Sequence, residues 1–233
     1  MSAALRWLPQ GTVYGALLNF RREWDLWAPQ MTEAPYKAAP QAPVLYIKTA
    51  NTFAPCGAAI AVPDEVDVGA TLGLVIGGFE EKLPPALAES AQAATKKEAG
   101  GLHRIAGCVL LNDLSLPHAS YYRPPIKFRN RDGFLGCGPV LQAVPDLSTL
   151  ALELRINGTL AQRIELSTLV RDAATLLRDV SEFTTLQAGD VLMLGTDCLP
   201  DGTRPRAKAG DRIEIRAPGF APLVHTLIEE KAK

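Results

Sequence analysis

Cysteine and histidine are scarce: four cysteines and three histidines in 233 residues. Cys56, Cys108, Cys137 and Cys198 stand far apart, with no Cys-x-x-Cys pair and no His-x-x-x-His partner, which disfavours a zinc site. An excess of either charge is missing as well. Lys and Arg total 24 against 25 Asp and Glu, so a sequence-independent nucleic-acid binder is not expected. Apolar runs such as Val109-Leu110-Leu111 fall far short of the ~20 residues of a membrane-spanning helix. Residues 1–10 carry an arginine and prolyl or polar breaks where a secretory signal needs an apolar stretch. The expectation is a soluble, reduced, cytoplasmic protein with no membrane partner. No Gly-x-Ser-x-Gly elbow, P-loop or dinucleotide-binding glycine pattern occurs, which removes three common catalytic frameworks.

What is present argues for a β-rich fold. The chain is 47% hydrophobic and 21% charged, which excludes a disordered tail. A chain of this size buries roughly 70% of its unfolded surface, enough for a core without staples. Nineteen glycines and eighteen prolines are spread throughout and cut it into short elements. Strand-like runs lie at 44–47, 72–76, 105–111, 150–156, 191–194 and 212–215. Leu152-Glu153-Leu154-Arg155-Ile156 and Ile213-Glu214-Ile215 alternate as half-buried antiparallel strands do. Asn157-Gly158 after the first of them is a hairpin signal. Apolar residues at 169, 170, 173, 176, 177 and 180 predict a helix over 167–180, with a Ser or Thr as N-cap. The alanine-rich stretch 85–100 reads as a second helix stopped by glycine, or as an excursion. The fold class is α+β, β-rich, with few short helices. Residues 1–43, with Pro29, Pro35, Pro40 and Pro43, are expected to wrap onto a main domain at 44–233.

Several segments, taken in order, resemble the fumarylacetoacetate hydrolase superfamily. They are Gly15-Ala16-Leu17-Leu18-Asn19-Phe20, Tyr46-Ile47-Lys48-Thr49-Ala50-Asn51-Thr52, Leu72-Gly73-Leu74-Val75-Ile76-Gly77 and Ile105 to Ser115 with its Asn112-Asp113. Arg131 to Pro139, Ile156-Asn157-Gly158, Leu186 to Thr196 and Lys208 to Ile215 follow. The resemblance runs from about Val13 to Val224; each piece is weak alone and the ordered set is specific. It implies a mixed β-sandwich or roll. Val68-Gly69-Ala70-Thr71, Asn112 to Pro117, Tyr122 to Lys127 and Gly219 to Leu223 are similar to the branch whose members isomerise and decarboxylate polycarboxylates of aromatic catabolism. The implied substrates are 2-hydroxyhepta-2,4-diene-1,7-dioate and 5-oxopent-3-ene-1,2,5-tricarboxylate, and the implied chemistry is enol–keto proton transfer. Because that branch joins two such halves, a homo-oligomer or a hetero-oligomer with a homologous metal-bearing subunit is implied.

One departure from the family pattern matters. The family's Glu-x-Glu pair, which with the aspartate of Asn-Asp binds Mg²⁺ or Mn²⁺, falls here on Gly69 and Thr71. Asp113 alone is a poor site for a hard cation that prefers several oxygens. The chain is therefore expected either to find other donors, such as Glu65, Asp67 or Asp132, or to hold no metal. Cationic side chains are the available substitute: Arg123, Lys127, Arg129 and Arg131 lie within nine residues, and guanidinium forks match carboxylates. The resemblance puts the family's lysine at Arg129, with Lys127 close enough to serve instead. The alternative is a solvated basic loop.

The expected catalytic residues are thus Lys48, Asp113, Lys127 and Arg129; the expected substrate-binding residues are Asn51, Arg123, Arg131 and Thr196. Thr196 matches the family's Gly-Thr, which binds a substrate carboxylate. Lys48 ends an apolar strand, pointing to solvent or into a pocket. The segment Asn19-Phe20-Arg21-Arg22-Glu23-Trp24 has no histidine, against a hydrolase that activates water with a His-Glu pair. Glu23 reads as a surface residue or a proton carrier, and His118 is the histidine nearest the expected site. Two functions stand: an isomerase/decarboxylase subunit with a cationic pocket, or a catalytically degenerate partner of a metal-bearing subunit. A generic hydrolase of the superfamily is third.

Overall fold

A computed structural model describes residues 7–34, 37–77, 105–118, 126–138 and 145–231. Within them, β1 (Val13–Leu17), β2 (Val44–Lys48), β3 (Phe53–Pro55), β5 (Val66–Ile76), β6 (Ile105–Ser115), β7 (Leu135–Cys137), β10 (Val191–Met193) and β11 (Arg206–Ala207) form an eight-stranded mixed sheet. Its order is β2-β1-β10-β5-β6-β7-β3, with β11 beside β5. A second sheet takes the order β4 (Ala59–Val62), β13 (Leu223–Glu229), β12 (Arg212–Arg216), β8 (Ala151–Ile156) and β9 (Thr159–Glu165). Helices are short: α1 (Arg21–Trp27), α2 (Ile126–Arg129) and α3 (Ala173–Ser181). None of the described helices is long and apolar enough to cross a membrane.

The two sheets differ in why their residues form strands. In the five-stranded sheet the alternation is plain. Leu152, Leu154, Ile213 and Ile215 are buried in the main core, while Glu153, Arg155 and Arg163 form an ion-paired outer ladder. Asn157 (φ 52) and Gly158 (φ 81) take the left-handed conformation that a two-residue hairpin turn between β8 and β9 requires. In the eight-stranded sheet, β5 and β6 are eleven residues long, pair antiparallel and are buried almost throughout. Both faces are covered, so their sequences read as continuous apolar runs. Leu72, Leu74, Leu110 and Leu114 face the main core. Residues of the other parity, Val75, Val109 and Leu111, join Tyr46, Val191 and Met193 in a second cluster on the opposite face. Asp113 has the parity of Leu111, and Gly69 is its register partner on β5, so both lie on this second face.

The structure amends several expectations. β5 starts at Val66, so Gly69 and Thr71 lie inside a strand; β6 runs on through Asn112-Asp113 to Ser115. The helix expected from 167 begins at Ala173, capped by Asp172, whose Oδ1 accepts from the Thr175 amide at 2.7 Å. The residues before it are diverted. Val170 N donates to Asn19 O at 2.8 Å and Arg171 N to Asn19 Oδ1 at 3.0 Å, so a tertiary partner takes the amides a longer helix would use. From the segment expected to wrap the domain, β1 is an inner strand between β2 and β10. The alanine-rich stretch 85–100 and Arg123 lie outside the described residues.

Candidate active site

Tyr46 and Lys48 are two residues apart on β2 and point the same way. Both meet Asp113. Lys48 Nζ lies 2.7 Å from Asp113 Oδ1 and Arg129 Nη1 lies 3.0 Å from Oδ2, which also accepts from the Tyr46 hydroxyl. The Arg129 guanidinium stacks over the Tyr46 ring, 4.4 Å from its centroid. Gly15 on β1 makes room for that ring: a Cβ there would lie 2.1 Å from Tyr46 Cζ. The family's opening glycine thus has a steric reason in this chain.

Lys48 is spent on the protein itself. Its Nζ donates to the carbonyls of Leu114 at 2.8 Å, Arg129 at 2.6 Å and Phe134 at 2.9 Å, and its side chain is 0% exposed. That is the geometry of an anchor tying β2, β6 and the segment after α2 around Asp113. Burial pulls the Lys48 pKa down to about 8, with Asp113 opposing the shift. Burial pushes the Asp113 carboxyl up, but Lys48 and Arg129 outweigh it and hold the group below its usual range. Burial, then the Asp113 charge, raises the Tyr46 phenol, which keeps its proton.

A second cluster closes the site beside β10. Gly195 takes φ 106, and a Cβ there would lie 2.9 Å from Ala16 O. Asn19 Nδ2 donates to Leu194 O at 2.9 Å and Arg171 O at 3.1 Å, pinning the β1–α1 turn against this bend. Thr196 Oγ1 accepts from Arg204 Nη1, which also donates to Asp197 O at 3.1 Å. Arg204 Nη2 donates to Glu23 Oε1 at 2.7 Å, and Glu23 Oε2 accepts from Leu18 N at 3.1 Å. Leu18 sits at φ 57, a strained conformation for a leucine. Glu23 is buried and ion-paired, so the reading of it as a surface residue does not hold. Thr196 bridges the two clusters. Its Cγ2 would lie 2.5 Å from a Cβ at Gly69, and Asp113 O would lie 3.1 Å from the same point.

His118 stands at the border. Its Nδ1 lies 2.9 Å from Leu116 O, and a carbonyl only accepts, so Nδ1 carries the proton and Nε2 the lone pair of the neutral ring. The ring stacks on Phe128 with centroids 5.2 Å apart. Burial lowers its pKa, and the charges of Arg129 and Arg204 act in the same direction.

Of the expected site residues, Lys48, Asp113 and Arg129 come together, and Thr196 adjoins them. Asn51 is exposed, donating to Asn130 O at 3.1 Å and Asp132 Oδ1 at 2.8 Å in a surface turn. Arg131 pairs with Glu230 at 2.5 Å, and Lys127 is exposed on α2; among the described residues neither hydrogen-bonds to or ion-pairs with Asp113. Tyr46, Asn19, Glu23 and Arg204 are the residues missed as site members. Tyr46 was detectable as the aromatic two positions before Lys48; Arg204, in a proline-flanked loop, carried no local signal.

The sheet order and this buried charged constellation define a known class, and the chain belongs to it: the fumarylacetoacetate hydrolase family. The fumarylacetoacetate (FAA) hydrolase C-terminal family model matches residues 12–228. The chain is similar to the 4-hydroxyphenylacetate degradation bifunctional isomerase/decarboxylase of Escherichia coli, 37% identical over 225 residues, 95% of this chain and 48% of that protein. It thus spans about half the length of that relative. It shares its fold with 5-carboxymethyl-2-hydroxymuconate delta-isomerase from Mycobacterium smegmatis (TM-score 0.66, 24% identity, covering 95% of this chain and 80% of the other). Maleylpyruvate hydrolase from Sphingobium sp. SYK-6, in complex with manganese(II) and pyruvate, has the same fold (TM-score 0.65, 18% identity, 96% and 72% coverage).

That hydrolase holds manganese(II), but the residues here do not fit a divalent metal. Both Asp113 oxygens face cations or a phenol, the positions of the paired glutamates are Gly69 and Thr71, and Thr196 fills the space beside Gly69. Among the described residues, no three His, Cys, Asp or Glu side chains group to make another site. Glu65 and Asp67 are instead paired with Arg206 at 3.5 and 3.4 Å.

Proposed function

We propose that this chain is a cytoplasmic isomerase-type subunit of polycarboxylate catabolism that works on the enol–keto step without a divalent metal. Its substrate class is the 2-hydroxy-dienedioate, with 2-hydroxyhepta-2,4-diene-1,7-dioate the first choice. The observation that carries the reading is the Asp113 carboxylate fixed between Lys48 at 2.7 Å and Arg129 at 3.0 Å, on a wall where the metal-binding glutamates are absent. Two cations around one carboxylate leave a net positive, water-poor centre, which favours an anionic enolate. In the reaction the 2-hydroxyl loses its proton, C5 gains one, and the double bonds shift to a 2-oxo-3-ene; no oxidant is needed. Arg129 and Thr196 would hold the oxo-carboxylate end. The Tyr46 hydroxyl, bonded to Asp113, would relay the enol proton.

The test is ketonisation of the dienol, followed by ultraviolet absorbance, with the chain stripped by chelating resin and then with added Mg²⁺ or Mn²⁺. Metal-independent turnover supports the proposal; turnover that appears only with metal refutes it. A second reading is favoured by one observation, that the chain covers 48% of its bifunctional relative. On that reading it is the silent half of a hetero-oligomer, and turnover appears only on mixing with a metal-bearing homologous subunit.

A further inference from the structure

We propose that Arg204, held by Glu23, stands in for the divalent cation and binds the oxo-carboxylate end of an anionic ligand together with Thr196 and Arg129. This rests on the reading of the site as a metal-independent anion centre and adds a residue outside every motif that identifies the family here.

Three observations carry it. First, Arg204 is built in, not left on the surface. Its side chain is 10% exposed, Nη1 is fixed by Thr196 Oγ1 and Asp197 O, and Nη2 is fixed by a Glu23 carboxylate that is 4% exposed. Glu23 is itself held by the amide of Leu18 in its left-handed conformation. Non-glycine strain of this kind persists where the surroundings over-determine it and clusters at ligand sites.

Second, the guanidinium stands at the wall vacated by the glutamates. Thr196, which it grips, lies against Gly69 next to Asp113, and the Arg204 charge reaches both Tyr46 and His118. The net charge follows. Lys48, Arg129 and Arg204 against Asp113 and Glu23 leave one positive charge in a buried setting, which favours an anionic ligand. Arg204 Nη1 gives its hydrogens to Thr196 and Asp197 and Nη2 donates to Glu23, so the guanidinium acts on a carboxylate through its fixed, planar charge.

Third, two buried donors of the site have no acceptor among the described residues. Thr196 is buried, and among the described residues its hydroxyl only accepts. Arg129 Nε is buried and makes no hydrogen bond among the described residues. Buried unsatisfied donors are uncommon, and an anion would satisfy both.

The experiment uses oxalate, a metal-free probe with the planar geometry of an oxo-carboxylate enolate. Its dissociation constant is measured calorimetrically on the full chain after passage over chelating resin. Wild type should bind, and Glu23→Gln/Arg204→Met, which removes both members of the ion pair, should weaken binding about tenfold or more. Arg204→Lys, which keeps the charge but not the fork, should fall between. If the double variant does not melt cooperatively, Arg204→Lys decides: unchanged affinity there overturns the proposal. Unchanged oxalate affinity in a folded double variant overturns it as well, and so does wild-type binding that appears only after Mg²⁺ is added. Turnover is scored separately. Arg204-dependent oxalate binding without ketonisation refutes the isomerase reading and keeps this one. Metal-free ketonisation with Arg204-independent oxalate binding does the reverse.

Discussion

Replacing Lys48 by methionine should unfold the site before it changes the chemistry. The Nζ–Oδ1 separation of 2.7 Å gives a Coulomb attraction of roughly 6 kcal/mol at an effective dielectric of about 20. Most of that is offset by taking both charges out of water, so the pair itself contributes little net. Removing one partner is different, because Asp113 then stays buried with a charge only partly met. Such a loss costs about 3–5 kcal/mol. Arg129 remains 3.0 Å from Oδ2, which places the expected cost near the lower end. The carbonyls of Leu114, Arg129 and Phe134 also lose their shared donor, which adds to it. Against a total stability of about 5–15 kcal/mol this is a large fraction. Urea unfolding reads it as a lower midpoint at unchanged slope. Adding Asp113→Asn to Lys48→Met should cost less than the two single losses summed, with a coupling of about 1–3 kcal/mol. A Lys48→Met midpoint within about 0.5 kcal/mol of wild type, or strict additivity, would refute the anchor role. Retained stability with lost turnover would mean that the ammonium reaches the ligand.

Gly15→Ala puts a methyl where the Tyr46 ring lies, so it should destabilise the protein by about 1–3 kcal/mol, read as a lower thermal midpoint. Tyr46→Phe in that background should add little, since the ring is already displaced. Gly69→Ala should displace Thr196, weakening oxalate binding while leaving most of the fold intact; unchanged binding in calorimetry would mean that Thr196 is not a contact. Burial holds His225 below the usual histidine range, so the folded state favours the neutral ring. Its contribution is complete above the unfolded value near 6.5 and is lost as pH falls through the lower folded value, by up to about 1.4 kcal/mol per pH unit. Urea midpoints between pH 7 and 5 should therefore fall more steeply in wild type than in His225→Asn, and parallel slopes would show that His225 does not titrate in this range.

Much of the fold and some of the site were legible along the chain. The outer ladder of the five-stranded sheet shows because alternation is a local property: one face of each strand meets water and the other the core. The turn at Asn157-Gly158 shows because left-handed backbone is a residue-level preference. Asp113, Arg129, Thr196 and the loss of the glutamates at Gly69 and Thr71 were visible because they sit in ordered segments that the family shares. The helix at 167–180 was legible in type but not in start, since Asn19, from far away in sequence, takes the amides of Val170 and Arg171.

The role of Lys48 as an anchor and the Glu23–Arg204 pair were decided only in three dimensions. Glu23 and Arg204 are 181 positions apart, and nothing in either neighbourhood marks a buried charge. A glutamate in a short amphipathic stretch reads as solvated until another element covers it. Covering it becomes tolerable only when the opposite charge arrives with it, because an unpaired buried carboxylate costs too much. Local sequence therefore determined the strands and the turn, and the family resemblance marked the missing metal ligands, whereas chain closure decided which charges are buried and paired around Asp113.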